Sequence, residues 1–269
     1  MDQYFIQIER GVLHYRKWGY GNRVLIALHG YGADGNIFET LAKQLKDSFT
    51  LYAIDLPFHG LTRWESERYD AEDIAQAFNL ILKKENVNNC SLLGHSFGAK
   101  IAMKLLEYEG ERVSVLYLLS PDGIGTRWLN WSRLTPRSMR RIVITNADLL
   151  LRFSKWFRDR NLIPFFVEWF LRKNLTTEKD KSRLLHTWLS FESFIIKKRR
   201  LQKLIQLHFV KVIVIIGQRD KLLKTGRIEQ FAKELPNAEF YDIASNHSLD
   251  FDKVAAILLK NITTSPERL

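Results

Sequence analysis

The chain has 269 residues and a formal net charge of +11, with 46% hydrophobic and 26% charged residues, which is typical of a soluble globular protein with one large core. The single cysteine, Cys90, excludes an internal disulfide, and the apolar runs are too short to span a bilayer. The first residues lack the basic and apolar regions of a secretory signal, so we expect a cytoplasmic protein.

The positive charge is concentrated in one segment of the chain. Residues 124–205 contain 19 of the 41 Lys and Arg residues but 6 of the 30 Asp and Glu residues, so this segment carries +13 and the remainder carries −2. This distribution argues against a uniformly basic nucleic-acid-binding protein. It predicts a chemically distinct insert.

Eight stretches of apolar residues, some alternating and some continuous, are predicted to form strands. In chain order they cover residues 3–9, 12–17, 24–28, 49–54, 90–93, 113–119, 210–216 and 239–243. The first two are separated by Gly11 and are predicted to pair as a hairpin. A continuous apolar run such as Val24–Leu28 is typical of a strand that is covered on both faces.

Helices are predicted between most of these strands. Their apolar stripes cover residues 37–45, 74–82, 101–106, 227–235 and 251–262. Asp70 is the predicted N-cap of the second helix, with Asp73 three residues later, as in a capping box. The alternation of strands and helices predicts an α/β fold, with a mostly parallel central sheet and helices on both of its faces.

The stretch from Cys90 to Lys100 organises the rest of the chain. A short apolar strand runs into Gly94-His95-Ser96-Phe97-Gly98 and then directly into an amphipathic helix. A serine on such a tight turn has a strained backbone and an exposed hydroxyl, and side chains at the two glycine positions would collide with neighbouring backbone. Ser96 is therefore a candidate nucleophile. The five-residue motif alone also fits an ordinary glycine-rich turn.

Polar residues follow several other predicted strands, at the ends where open parallel sheets bind ligands. They are, in chain order, His29-Gly30, Asp55-x-Pro-x-His59-Gly60, Gly217-x-x-Asp220 and His247. With the Ser96 motif, this set resembles that of the α/β-hydrolase fold family, including its order of nucleophile, acid and base. The resemblance covers residues 1–123 and 206–262. Phe58 departs from it, since many members carry glycine there, and we expect this difference to change the shape of the pocket.

The resemblance implies a catalytic triad. Ser96 would be the nucleophile, His247 the base that takes its proton, and Asp220 the acid that fixes the imidazole tautomer and stabilises the imidazolium. Asp122 also follows the end of a predicted strand and could reach the same imidazole. It therefore stays open as the alternative acid.

An oxyanion hole would need two backbone N–H groups, and we assign them to Phe97 and Tyr31. Phe97 lies at the start of a helix, where N–H groups and a partial positive charge point outward. Tyr31 is assigned from the resemblance and from the flanking Gly30 and Gly32, which allow the loop to approach a ligand closely.

His29, His59 and His95 have side chains that can bind a metal, but none of them stands at the spacing of a metal site. We predict that they hold loops together by hydrogen bonds and that no metal is bound. Residues 94–98 also lack the Lys-Ser/Thr end of a phosphate-binding loop and the third glycine of a dinucleotide fingerprint. No cofactor is therefore expected.

Residues 124–205 are predicted to form a helical cap, or lid, over a core domain of residues 1–123 and 206–269, because this family usually carries its insert there. The segment has four apolar helical stripes and five of the seven tryptophans: Trp128, Trp131, Trp156, Trp169 and Trp188. The favoured interpretation is that the stripes pack together and the basic residues are solvated. Alternatively, these helices meet an anionic membrane surface or an acyl-chain substrate. No nucleic-acid partner is expected, because the aromatic residues have the spacing of a core.

The sequence thus predicts a serine hydrolase of the carboxylesterase or lipase type, which cleaves a small-molecule carboxylic ester through an acyl-enzyme on Ser96. A lipid-like ester with a medium or long acyl chain is one option. Thioesters and the carbon–carbon bond of diketones could use the same groups, and a non-catalytic ligand-binding protein is the alternative of another class. Serine at position 96 argues against dehalogenase and epoxide-hydrolase chemistry, which needs a carboxylate nucleophile. The sequence carries no signal for oligomeric state.

Overall fold

A sheet of nine strands forms the centre of the computed structural model, which describes residues 2–122, 135–163, 165–220 and 223–262. The strands are β1 (Asp2–Ile8), β2 (Gly11–Trp18), β3 (Arg23–Leu28), β4 (Phe49–Ile54), β5 (Arg63–Trp64), β6 (Cys90–His95), β7 (Val113–Leu119), β8 (Lys211–Gly217) and β9 (Ala238–Ile243). Their order across the sheet is β1-β2-β4-β3-β6-β7-β8-β9, and the short β5 pairs with β2.

The sheet is mostly parallel, as predicted. β1 and β2 form an antiparallel hairpin and β2 is also antiparallel to β4, whereas every neighbouring pair from β4 to β9 is parallel. All eight predicted strands are present, and β5 is an additional strand of two residues. Because parallel strands end at the same edge, the loops after β3, β6, β7 and β8 emerge together there.

The helices of the described ranges are α1 (Glu39–Leu45), α2 (Ala71–Lys84), α3 (Phe97–Glu109), α4 (Arg137–Thr145), α5 (Ala147–Asp159), α6 (Phe165–Leu175), α7 (Glu178–Ser190), α8 (Lys198–Leu207), α9 (Thr225–Lys233) and α10 (Phe251–Ile262). Among them, α1 and α10 cover one face of the sheet, and α3 with α2 covers the other. On one face, Leu25 and Leu93 share a core with Leu41 of α1 and Leu258 of α10. Leu92 precedes Leu93 in β6, so its side chain points to the opposite face of the sheet, where it is also fully buried. On that face, α3 packs on β6, β7 and α2.

The start of α2 confirms the predicted capping box. The Asp70 carboxylate accepts the backbone N–H of Asp73 at 3.2 Å, and the Asp73 carboxylate accepts that of Asp70 at 2.9 Å. Arg10 Nη1 lies 3.2 Å from a carboxylate oxygen of each. The reciprocal bonds satisfy N–H groups that a helix start otherwise leaves without a partner.

The described residues fall into two compact units. The first unit lies within Met1–Glu65, Asp70–Thr126 and Phe194–Leu269 and contains the whole sheet. The second unit lies within Ser66–Tyr69 and Arg127–Ser193 and contains α4 to α7. Inside the second unit, the backbone N–H of Tyr69 donates to Ser190 Oγ at 3.0 Å, which ties its shorter segment to α7.

The second unit has a small apolar core and one buried arginine at its centre. Its buried core residues are Ile144, Ala147 and Leu175. Arg140 is 1% exposed, and it donates to the carbonyl oxygens of Thr135 at 3.0 Å and Trp188 at 2.8 Å and to the Glu192 carboxylate. A buried guanidinium is tolerated only when its donors are satisfied in this way.

The second unit is shorter than the predicted insert of residues 124–205. Leu201, Leu204 and Ile205 of α8 are buried in the first unit, where α8 packs on α3. The ring of Phe194 stands edge-on to that of Phe97, 5.7 Å away, also within the first unit. The predicted boundary at residue 124 and two of the tryptophans, Trp128 and Trp131, lie outside the described residues. The cap role of the insert stays a prediction.

None of the helices in the described ranges combines the length and the apolar composition that crossing a lipid bilayer requires.

Candidate active site

Ser96 lies in the sharp turn between β6 and α3. Its backbone has φ 51° and ψ −114°, a left-handed conformation that is costly for a residue with a side chain. The turn is held by three hydrogen bonds. The N–H of Ser96 donates to Leu119 O at 2.8 Å, and its carbonyl accepts the N–H groups of Ala99 at 3.0 Å and Asp122 at 3.2 Å. The neighbouring strand and helix thus maintain a conformation that the serine would not adopt alone.

Close backbone contacts explain the two glycines of the motif. A Cβ atom on Gly94 would lie 2.4 Å from the Cα atom of Ala99, and one on Gly98 would lie 2.1 Å from the carbonyl oxygen of Leu28. Both distances are far below van der Waals contact. Glycine is therefore required at both positions for α3 to approach β3 and β6.

His247 follows β9, and its imidazole lies between the other two predicted triad residues. Nε2 is 3.1 Å from Ser96 Oγ, and Nδ1 is 2.7 Å from Asp220 Oδ2. A carboxylate only accepts hydrogen bonds, so the proton is assigned to Nδ1. Nε2 then presents its lone pair to the Ser96 hydroxyl. This is the geometry in which an imidazole can take a proton from an alcohol.

Asp220 is held rigidly in the turn after β8. Its side chain is fully buried, its N–H donates to Gly217 O at 3.0 Å, and its Oδ1 accepts the N–H of Leu223 at 3.0 Å. A Cβ atom on Gly217 would lie 2.3 Å from the carbonyl oxygen of Asn246. Glycine at this position allows the loop that carries His247 to approach the loop that carries Asp220.

The alternative acid, Asp122, follows β7 on the other side of the turn. Its backbone N–H donates to the carbonyl of Ser96 at 3.2 Å. The carboxylate that the structure brings to His247 Nδ1 is that of Asp220.

His95 connects the serine turn to the loop of His247. Its Nε2–H donates to the backbone carbonyl oxygen of His247 at 3.1 Å, and the two rings are 5.6 Å apart. Burial disfavours the imidazolium and lowers the pKa of His95 to about 4. The ring therefore stays neutral near pH 7.

His29 and His59 hold the loop after β3. His29 Nδ1–H donates to Gly30 O at 2.8 Å and its Nε2 accepts the N–H of Leu56 at 3.0 Å. His59 Nε2 accepts the N–H of Gly32 at 3.1 Å. Burial lowers the pKa of His29, so it too stays neutral. These bonds fix the backbone on both sides of Tyr31.

The loop that these histidines hold lies against the serine. A Cβ atom on Gly30 would be 3.1 Å from the Cβ atom of Ser96. Tyr31 follows Gly30 directly, and Phe97 is the first residue of α3. The two residues that the sequence assigns to the oxyanion hole therefore flank the serine turn.

Phe58, the departure from the family pattern, has φ 66°. This is the left-handed region that glycine enters without strain, which explains why glycine suits the position. Phe58 adopts it at the cost of backbone strain.

A buried ion cluster beneath these loops was not anticipated from the sequence. Asp55 accepts hydrogen bonds from His14 Nδ1 at 2.8 Å, Arg16 Nη1 at 2.5 Å and the N–H groups of Gly35 at 2.7 Å and Leu61 at 3.0 Å. Burial alone would raise the pKa of Asp55, but the two backbone donors, with His14 and Arg16, outweigh it and lower that pKa. The signal in the sequence was that His14 and Arg16 stand two residues apart in β2, so both side chains point to the same face of the sheet.

Within the described part of the chain, no three His, Cys, Asp or Glu side chains are grouped closely enough to hold a metal ion.

Comparison with known proteins places this chain in a family. The sequence model of the α/β hydrolase fold matches residues 23–253. The AB hydrolase superfamily protein YisY of Bacillus subtilis is 26% identical over 249 residues, which cover 87% of this chain and 86% of that protein. A pimeloyl-[acyl-carrier protein] methyl ester esterase of Cronobacter sakazakii is 27% identical over 119 residues, 44% of each chain.

A solved structure shows the same fold along almost the whole length. A thermophilic esterase from Thermogutta terrifontis superposes with a TM-score of 0.73 at 15% sequence identity, covering 98% of this chain and 99% of that one. The parallel sheet, the serine turn after β6 and the match over residues 23–253 agree with one another. The protein is a hydrolase of the α/β fold and belongs to the α/β hydrolase fold family.

Proposed function

We propose that this protein is a serine hydrolase that cleaves a carboxylic ester through an acyl-enzyme on Ser96. The observation that carries the proposal is the chain of two hydrogen bonds from Ser96 Oγ to His247 Nε2, at 3.1 Å, and from His247 Nδ1 to the Asp220 carboxylate, at 2.7 Å. The names of two similar proteins, a methyl ester esterase and a thermophilic esterase, support an ester as the substrate class.

In the first half of the proposed reaction, His247 takes the hydroxyl proton as Ser96 Oγ attacks the ester carbonyl. The tetrahedral oxyanion accepts hydrogen bonds from the N–H groups of Tyr31 and Phe97, each worth about 3–4 kcal/mol in the transition state. The carbon–oxygen bond to the alcohol then breaks, and His247 gives its proton to the departing oxygen. Asp220 stabilises the imidazolium throughout.

In the second half, a water molecule replaces the alcohol. His247 takes a proton from the water as the water oxygen attacks the acyl carbon. The same oxyanion donors stabilise the second tetrahedral intermediate. The bond to Ser96 Oγ breaks, and the oxygen regains its proton from His247. The products are a carboxylic acid and an alcohol, and the enzyme is restored.

The test is turnover of a panel of p-nitrophenyl esters from acetate to palmitate, with a thioester and a diketone beside them. We expect ester hydrolysis that Ser96→Ala lowers by about 10⁴-fold or more. Ser138→Ala, at an exposed serine of α4, is the matched control and should keep full activity. Turnover that survives Ser96→Ala would refute the acyl-enzyme, and turnover of the thioester or diketone alone would refute the ester.

A further inference from the structure

Helix α5 has apolar side chains on two opposite sides. On one side, Ala147 and Ser154 are buried and Leu150 and Leu151 are half-buried, within or beside the core of the second unit. The other side carries Leu149, Phe153 and Trp156, which are 55%, 50% and 45% exposed. Their spacing of four and three residues places them in one line along the helix. We call these three residues the α5 stripe.

Aromatic neighbours extend the α5 stripe. The ring of Phe157, which is 38% exposed, stands edge-on to that of Trp156 with the centroids 5.0 Å apart. Single exposed apolar residues are common on soluble proteins. A line of three with an adjoining phenylalanine on one helix is a contiguous patch, and such patches mark interaction surfaces.

Cations border the α5 stripe. The guanidinium of Arg160 lies 3.9 Å from the ring centroid of Trp156, and the side chains of Arg152 and Lys155 are exposed on the same helix. None of these three makes an ion pair with a carboxylate within the described ranges. The two acids of the helix are paired elsewhere, Asp148 with Lys181 at 3.4 Å and Asp159 with Arg158 at 2.7 Å. The border of the stripe is therefore cationic.

The charge of the surrounding segment has the same sign. Residues 135–193 contain 12 Lys and Arg residues but only 6 Asp and Glu residues. A symmetric dimer through the α5 stripe would bring Arg152, Lys155 and Arg160 close to their own copies, which disfavours a second copy of this chain as the occupant. An acidic surface is the electrostatic complement.

We propose that the α5 stripe docks on the surface of an anionic lipid bilayer. Phe153 and Trp156 enter the interface at the level of the headgroups, where aromatic rings are favourable. Arg152, Lys155 and Arg160 meet the lipid phosphates while their aliphatic stems lie along the apolar surface. An exposed apolar helix face with a cationic border is the arrangement that binds such an interface without spanning it.

The experiment is co-flotation of the full chain with vesicles at low salt, with phosphatidylcholine alone and with equal parts of phosphatidylcholine and phosphatidylglycerol. We expect binding to the anionic vesicles only, which falls as salt is added. The Phe153→Ser, Trp156→Ser double variant should bind at least about tenfold more weakly. Phe5→Ser is the matched control, because Phe5 is 51% exposed and lies in the first unit. It should bind as the wild type does.

A second variant tests the cations separately. Replacing Arg152, Lys155 and Arg160 by Gln should remove the preference for phosphatidylglycerol while circular dichroism and the melting temperature stay unchanged. The proposal is overturned if the wild type does not float with anionic vesicles, if it binds phosphatidylcholine equally, or if Phe5→Ser loses as much binding as the double variant. It is also overturned if the double variant abolishes a dimer seen by light scattering and vesicle binding is absent. None of these readouts depends on esterase activity.

Discussion

The Nε2–H of His95 donates a 3.1 Å hydrogen bond to the backbone carbonyl oxygen of His247. The residue before the proposed nucleophile thus holds the loop that carries the proposed base, and the distance between Ser96 Oγ and His247 Nε2 depends on this tie. His95 is in this sense a positioning residue.

His95→Leu removes the donor and should lower kcat by about tenfold with little change in KM, because one hydrogen bond is worth about 1 kcal/mol and the base loses its alignment. His95→Gln keeps an N–H group at a similar distance and should restore most of kcat. Steady-state kinetics with a soluble p-nitrophenyl ester measure both parameters. Equal losses of kcat in the two variants, in step with equal losses of melting temperature, would indicate a role in packing alone.

The identity of the acid can be tested with two isosteric variants. Asp220→Asn keeps the shape of the side chain but cannot fix the tautomer or stabilise the imidazolium, so kcat should fall by about 10⁴-fold. Asp122→Asn leaves the carboxylate at His247 Nδ1 in place and should change kcat by less than about fivefold. The reverse ranking would make Asp122 the acid. The measurement is kcat for each variant with the same ester.

Acid should destabilise the protein through its buried neutral histidines. The pKa of His95 is about 4 in the folded chain, against 6.5 for a free imidazole, and the pKa of His29 is lowered in the same direction. The unfolded chain therefore binds protons first as pH falls, so stability is fully present above about pH 6.5 and is lost progressively towards pH 4. His95 alone should lower the free energy of unfolding by about 2 kcal/mol between about pH 7 and about pH 5.

Urea unfolding of the wild type and of His95→Gln at those two pH values checks this prediction. The variant should lose less stability than the wild type between the two pH values, because it keeps the buried His29 but no longer has the buried His95. The same loss in both proteins would contradict the assignment of the effect to His95.

The buried cluster around Asp55 should matter for stability. Asp55→Asn removes the negative charge that Arg16 contacts at 2.5 Å, and leaving a buried cation without its partner costs about 3–5 kcal/mol. Asp148→Asn is the control, because Asp148 is 80% exposed and its ion pair with Lys181 is worth less than about 1 kcal/mol. The free energy of unfolding in urea compares the two. A loss below about 1 kcal/mol for Asp55→Asn would show that the cluster contributes little.

The sequence was most informative where apolar residues follow a regular pattern or where the backbone requires a particular residue type. Continuous apolar runs predicted the buried strands to within a few residues, and Asp70 with Asp73 marked the start of α2. The glycines at 94 and 98 marked the turn, because the contacts to Ala99 and to β3 leave no room for a side chain.

Other features lacked a signal in the residues that form them. An amphipathic stripe shows that a helix is half-buried but not which surface covers it, so α8 was grouped with the insert although it packs on α3. Backbone donors leave no side-chain pattern, and the assignment of Tyr31 therefore depends on the resemblance and on the flanking glycines. The cluster of Asp55 with His14 and Arg16 joins positions about 40 residues apart through the pairing of β2 and β4, which local sequence does not encode.

The most direct test of the account is where a fluorophosphonate attaches to the protein. The reagent forms a covalent bond only with a hydroxyl that a neighbouring base activates, so peptide mapping by mass spectrometry should find one adduct, on Ser96. Ser96→Ala should carry none, and Asp220→Asn should react much more slowly. An unlabelled wild-type protein, or an adduct on another residue that persists in Ser96→Ala, would contradict the claim that Ser96, His247 and Asp220 act together.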